Sequence, residues 1–226
     1  MAFTGTELMT WLASLMWPFM RIGAMFLAAP IFSARSFPVR MRVLLSLLVA
    51  WIVLPVIPEP PAVDLISIDA LVISIYQVFI GLAMGFILQM VFSAFVIAGQ
   101  SIAMAMGLGF ASIVDPQNGV QVPVVSQALL IMVTLIFLAL NGHLLLINVV
   151  AESFQQLPVG FITPSADGLW QLASWGGTMF AGGVLIALPA VAALLLVNLA
   201  FGVTARAAPQ LNIFAVGFPV MLMVGL

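Results

Sequence analysis

The sequence predicts an all-α integral membrane protein. Of its 226 residues, 65% are hydrophobic and 5% are charged, whereas a soluble domain carries about 25% charged residues. Four long stretches contain no charge at all, and each is long enough for a helical span of about 20 residues. Alternation of period two is weak, so these runs indicate helices and not the strands of a barrel. The uncharged stretches are residues 70–114, 116–151, 168–205 and 207–226.

The composition also excludes several classes of function. The chain is too apolar for a soluble enzyme, a nucleic-acid-binding protein or a disordered segment. It has no cysteine, which excludes disulfides, thiolate metal sites and cysteine nucleophiles. It has no lysine, so a polybasic surface is absent. The N-terminus lacks a basic region, and we expect no cleaved signal peptide.

About six hydrophobic helical segments follow one another, some of them kinked or re-entrant. The first ends near Pro30, and prolines from Pro55 onward end the short second segment. A stretch that contains several glycines and then a polar turn follow the third segment. We expect Pro189 to kink the fifth segment. The last segment ends without the polar flanking residues that usually follow a hydrophobic helix, so we expect the native chain to continue. The segments are residues 8–32, 43–57, 70–98, 122–150, 172–203 and a final run that ends at Leu226.

Arginines predict the orientation of these segments. Arg35, Arg40 and Arg42 lie between the first two segments, which places that loop in the cytoplasm by the positive-inside rule. Counting crossings from there also places Arg206 inside and the N-terminus outside. We therefore expect these four arginines to set the orientation and to lie at a cytoplasmic mouth.

Residues that could support catalysis are few. The single histidine, His143, has no second histidine and no HExxH context, so it indicates a helix break with a polar contact and not a zinc site. The partial GxSxG motif of residues 99–103 lies between helix-like flanks, whereas a nucleophile elbow needs a strand, a turn and a helix. No P-loop or GxGxxG motif occurs. The sequence predicts no enzyme, no cofactor and no metal site.

Arg21 and two glycines are the candidates for a buried interface. An arginine near the middle of a span costs about 2.5–3.5 kcal/mol on insertion scales. It either reaches the membrane surface or pairs with a carboxylate, or it faces an aqueous path or fixes a subunit interface. Gly81 and Gly85 form a GxxxG close-packing motif, and Gln77 is expected to form an interhelical hydrogen bond.

Residues 104–121 are the most unusual stretch. Met104 and Met106 are flexible and polarizable, and Gly107 and Gly109 permit a non-helical backbone. Such a backbone is tolerated at membrane depth only inside protein or along a cavity. Two interpretations remain open, a packed re-entrant loop and a mobile constriction.

Several ordered blocks together resemble the FliR family, the flagellar export-gate subunit, whose counterpart in virulence type III secretion is SctT. The resemblance covers essentially the whole chain. One departure is Met221, where a basic residue is expected. The blocks are residues 17–22, 29–35, 38–42, 107–111, 115–117, 141–143 and 206–219.

The resemblance implies a single FliR-like export-gate domain over residues 1–226 with a structural role. It implies assembly with FliP and FliQ into a closed helical pore of bent hairpins, with FlhB around the cytoplasmic mouth and FlhA nearby. Unfolded flagellar proteins would enter there, at the basal body in the bacterial inner membrane, in contact with lipid and without nucleic acid. The family's pore-blocking loop maps onto residues 107–121. The candidate plug comprises Met104, Met106, Gly107, Gly109, Phe110, Ile113, Asp115, Pro116 and Gln117.

Two other classes of function fit the sequence less well. A small-solute secondary transporter is the alternative, but transporters usually have a charged midplane site and repeated halves. Only Arg21 fits the first criterion, and the halves show no evident repeat. An intramembrane enzyme would need a catalytic dyad that the sequence does not contain.

Overall fold

The computed structural model describes residues 5–34, 37–61, 63–108, 123–160, 165–207 and 213–225. Within these ranges the regular structure is entirely helical, which confirms the predicted all-α class. The α-helices are α1 Gly5–Ala28, α2 Pro30–Ser33, α3 Val39–Val53, α4 Ile68–Ala105, α5 Val124–Ala139, α6 Gly142–Gln156, α7 Ala166–Ala207 and α8 Ile213–Gly225, and a 3₁₀ turn, Leu54–Val56, extends α3.

In the part of the chain that the structure describes, four stretches of helix are long and apolar enough to cross a membrane: Trp11–Ala28, Val39–Val56, Ile68–Ala105 and Ala166–Ala207. Helices α5 and α6 pass the same test only as a pair, which is bent by 67° and would be a fifth span. Helix α8 has 13 residues, about 20 Å at 1.5 Å per residue, which is short of a core of about 30 Å. The six predicted hydrophobic segments therefore correspond to helices, and up to five of them are long enough to span.

The boundaries of two predicted segments differ from those of the helices. The fourth segment is broken after Ala139, in a turn where Asn141 adopts a left-handed conformation with φ of 56°. The break lies next to His143, where the sequence predicted a break in the helix. The third segment continues as helix through Gly99 to Ala105, seven residues further than predicted. A glycine weakens an exposed helix, but Gly99 is packed against α5 and the helix continues through it.

The chain divides into two compact units. The first comprises Met1–Gln89 and Phe137–Ser174, and the second comprises Met90–Ile136 and Trp175–Leu226. Each is discontinuous in sequence, because α4, α5 and α7 contribute residues to both.

In the first unit, α1 and α4 run parallel to each other. The indole of Trp17 on α1 bonds to Ser74 on α4, and further along both helices Gly85 lies against Met25. Residue numbers thus rise together along the contact. The core of the unit also includes α3 and α6, with Phe26, Val49 and Phe154 among its buried side chains.

In the second unit, the end of α4 packs against α5, α7 and α8. One apolar cluster buries Ile102 of α4, Met106 just after α4, Val125 of α5 and Leu194 of α7, and Leu222 of α8 packs against it. This cluster surrounds the point where α4 ends.

Candidate functional site

Part of the candidate plug and one of the orientation arginines lie outside the described residues. The description ends at residue 108 before the plug loop and resumes at residue 123. The site residues outside it are Arg35, Gly109, Phe110, Ile113, Asp115, Pro116 and Gln117.

Helix α4 ends in a Schellman motif. The backbone N–H of Leu108 donates to the carbonyl of Ala103 at 3.0 Å, and the N–H of Gly107 donates to the carbonyl of Met104 at 3.1 Å. Gly107 has φ of +81°, the left-handed conformation that this motif requires and that glycine adopts without steric cost. The sequence of this turn therefore fixes where the chain leaves the helix.

The two methionines of this turn have different surroundings. Met106 is completely buried in the cluster at the end of α4. A Cβ added to Gly225 of α8 would lie 2.5 Å from its sulfur, so α8 packs directly on it. Met104 is 61% exposed. Met106 therefore anchors the end of α4, and only Met104 is available to another surface.

A cavity of about 490 Å³ lies beside this turn, within the second unit. Met104 and Gly107 line it from α4, Asn198 and Phe201 from α7, and Met221 from α8. Its lining is mostly apolar, with the amide of Asn198 as a polar group. Met221, at the position where a basic residue was expected, contributes a neutral thioether to this lining.

Arg21 is completely buried in the first unit. Its Nε donates to Gln77 Oε1 at 2.8 Å and its Nη1 to Ser153 Oγ at 3.1 Å. Its Nη2 donates to the carbonyl of Leu157 at 2.8 Å. The guanidinium therefore connects α1 to α4 and to the end of α6, whereas the sequence predicted an interhelical hydrogen bond for Gln77 without naming its partner.

The charge of Arg21 faces neutral groups that carry partial negative charge. Leu157 is the C-cap of α6, where the helix dipole favours a cation. The guanidinium carbon also lies 4.0 Å from the centroid of the Phe154 ring, within the range of a cation–π interaction. The Nε2 of Gln77 is buried and has no hydrogen-bond partner among the described residues.

The two glycines of the GxxxG motif bring α4 into direct contact with the backbone of α1. A Cβ at Gly81 would overlap the carbonyl oxygen of Arg21, and one at Gly85 would lie 2.6 Å from that of Met25. Arg21, Gly81 and Gly85 thus lie on one helix–helix contact inside the first unit.

The described orientation arginines have separate environments. Arg40 is exposed at the start of α3. The Nε of Arg42 donates to the carbonyl of Phe32 at 2.9 Å, which holds the end of α2 against α3. Arg206 is exposed in the last turn of α7, where a cation interacts favourably with the helix dipole.

The serine of the partial GxSxG motif and the single histidine both occupy positions inside helices. Ser101 lies inside α4, where its hydroxyl donates to the carbonyl of Ile97 at 2.9 Å, so the partial GxSxG is not a nucleophile elbow. His143 lies in the first turn of α6, and its Nδ1 is buried without a partner among the described residues. No cluster of three or more His, Asp or Glu side chains in the described ranges could hold a metal ion.

Long apolar helices, one bent helix pair and a glycine-terminated α4 define a helical membrane protein. A sequence model described as "Bacterial export proteins, family 1" matches residues 12–226. The chain therefore belongs to this family of bacterial export proteins, as its resemblance to FliR predicted.

Comparison with individual proteins supports the same family assignment. The flagellar biosynthetic protein FliR of Escherichia coli (strain K12) is 37% identical over 223 residues, covering 99% of this chain and 85% of that protein. FliR of Pectobacterium carotovorum subsp. carotovorum is 37% identical over 226 residues, with coverages of 100% and 86%. FliR of Bacillus subtilis (strain 168) is 34% identical over 209 residues, with coverages of 91% and 80%. The chain is a membrane component of the flagellar export system.

Proposed function

We propose that the chain is a structural, pore-forming subunit of the flagellar type III export gate in the bacterial inner membrane. In this proposal it assembles with FliP and FliQ, contacts FlhB at the cytoplasmic mouth and lies near FlhA. Unfolded flagellar proteins pass through the assembled pore. Membership of the export family supports the general role, and the named partners follow from the resemblance.

The surface of the chain supports a place inside a larger assembly. Helix α7 has 42 residues, and only Gly183, Ala187 and Leu194 are buried within the chain. Large apolar side chains such as Trp170, Leu185 and Leu196 are exposed along it. Contiguous apolar surface of this extent needs lipid or protein partners.

The observation that carries the gate proposal is the end of α4 at Gly107. The Schellman motif ends the helix at a defined residue, and Met106 anchors that end in the second unit. We propose that residues 104–121 form a displaceable seal, with the apolar bulk of Phe110 and Ile113 blocking small ions. The polar turn that begins at Asp115 would then face water or protein partners.

Deleting residues 110–117 tests the seal. We expect the full chain and the variant alike to co-purify with FliP and FliQ as one particle, and we expect only the variant to make cells leaky to small ions or dyes. The matched control replaces the same residues with a Gly/Ser segment of equal length, which we also expect to leak, because the apolar block is missing. Loss of assembly without any leak would show that the segment is a packing element.

We further propose that the loop arginines set the orientation. Replacing Arg35, Arg40 and Arg42 with glutamine removes the main inside signal. Cysteine labelling at Ser36 should then report mixed sidedness, in a chain that has no other cysteine. Unchanged sidedness would mean that assembly with partners sets the orientation.

The transporter alternative receives no support from the described residues. It depended on Arg21 as a charged midplane site. Arg21 has no exposed surface in the chain and its three hydrogen-bonding nitrogens contact protein acceptors.

A further inference from the structure

Helices α4 and α5 are in close backbone contact at Gly99 and Ser126, both in the second unit. A Cβ at Gly99 would lie 2.7 Å from the nitrogen and from the Oγ of Ser126, and closer still to its Cα. Ordinary carbon contacts lie at about 3.5–4.0 Å. The two backbones therefore touch at a point where only glycine fits on α4.

Ser126 is suited to this contact in a second way. Its side chain is completely buried, and its hydroxyl donates to the carbonyl of Val96 on α4 at 3.2 Å. A larger side chain would not fit between the backbones, and an apolar one of similar size would forgo this hydrogen bond. Size and polarity together tie α5 to α4 at this position.

Helix α4 is also held on a different side. A Cβ at Gly183 of α7 would lie 2.9 Å from the carbonyl oxygen of Ala94 and 2.8 Å from a methyl group of Ile97. The stretch of α4 that leads to Gly107 thus has close neighbours in α5 and α7, and it has little room to shift.

We propose that Gly99 and Ser126 are positioning residues that hold the end of α4 and the start of α5 at a fixed separation. Gly99 precedes Gly107 by eight residues and Ser126 follows Pro123 by three. The contact therefore fixes both points from which the intervening chain departs. Its consequence for leakage rests on the proposed seal, whereas the fixed separation does not.

Gly99→Ala tests the contact, with Gly177→Ala as the matched control. Gly177 lies on α7 in the same unit and has nothing within 4 Å of an added Cβ. Cysteines at Gln100 and Gln127, both exposed and next to the contact, carry spin labels in the full chain assembled with FliP and FliQ. We expect Gly99→Ala to lengthen the interlabel distance by about 1 Å, the movement that restores normal contact. Gly177→Ala should leave the distance unchanged.

Ser126→Ala provides a second variant in case Gly99→Ala does not assemble. It adds no bulk and removes the hydroxyl that binds Val96, so we expect a broader interlabel distribution without a new steric clash. An unchanged distance in Gly99→Ala, an equal change in Gly177→Ala, or, where Gly99→Ala does not assemble, an unchanged distribution in Ser126→Ala would overturn the proposal.

Leakage of a small dye from cells separates this proposal from that of the seal. A longer distance together with increased leakage supports both. A longer distance with normal leakage retains the positioning role of Gly99 and Ser126, and it shows that their separation does not control a seal.

Discussion

The two units of the chain are stabilised by different kinds of contact. In the first unit, Arg21 donates three hydrogen bonds from α1 to groups on α4 and α6, and the Trp17 indole donates to Ser74. In the second unit, Ser126 is the only completely buried polar side chain among the described residues. The buried apolar cluster of the second unit consists of aliphatic side chains and Met106.

The contacts of the first unit depend on the direction of hydrogen bonds, whereas those of the second unit depend on side-chain volume. Hydrogen bonds to a buried cation require defined angles and partners, so the first unit has one favoured arrangement. Apolar contacts and close backbone approach depend mainly on the size of each side chain, so the second unit should tolerate changes that conserve volume. The comparison teaches that, among the described residues, those next to the proposed seal make few directional side-chain contacts, whereas those around Arg21 make many.

The largest expected effect is that of Arg21→Met. The variant leaves the oxygens of Gln77, Ser153 and Leu157 without their donor, and each buried unsatisfied group costs about 1–3 kcal/mol. We expect the assembled complex to lose about 3–5 kcal/mol of stability, measured by unfolding in detergent. Arg40→Met, at an exposed position, is the control and should have little effect.

A double variant sharpens this prediction. Adding Gln77→Leu to Arg21→Met removes one orphaned acceptor together with an amide nitrogen for which the described residues offer no partner. We expect part of the lost stability to return, because replacing both partners with apolar groups is often near neutral. Equal losses in Arg21→Met and Arg40→Met would show that the first unit does not depend on directional contacts.

The second-largest loss of stability is expected for a substitution in the second unit. Met106→Ala leaves a cavity at a completely buried position, and we expect a loss of about 2–3 kcal/mol, at the lower end of the usual range because flexible neighbours can move. Met106→Leu conserves volume and should cost less than about 1.5 kcal/mol. Thermal unfolding of the complex measures both. A Leu variant as unstable as the Ala variant would contradict the dependence on volume.

The smallest effect is expected at the end of α4. Gly107→Ala places a Cβ on a residue with φ of +81°, which costs about 1–2 kcal/mol. Gly107→Asn should cost less, because asparagine tolerates this conformation at a helix C-terminus. If the two variants unfold at the same temperature, the left-handed turn does not contribute to stability.

The hydrophobic pattern was sufficient to predict the helices, and the glycines predicted the turn with which α4 ends. A glycine among methionines indicated the non-helical backbone that occurs at Gly107. The pattern did not predict that Gly99 would lie inside a helix, because glycine also suits turns. It also did not separate Met104 from Met106, since the two are chemically identical and differ only in what surrounds them.

The sequence by itself determined the class of the protein, its apolar segments and its family, because hydropathy and residue order are properties of local stretches. Only the tertiary structure decided which groups accept hydrogen bonds from Arg21, since Gln77 and Ser153 lie 56 and 132 residues away along the chain. It also decided that Gly99 meets Ser126. Such contacts depend on how separate helices approach in space, and neither composition nor periodicity specifies that approach.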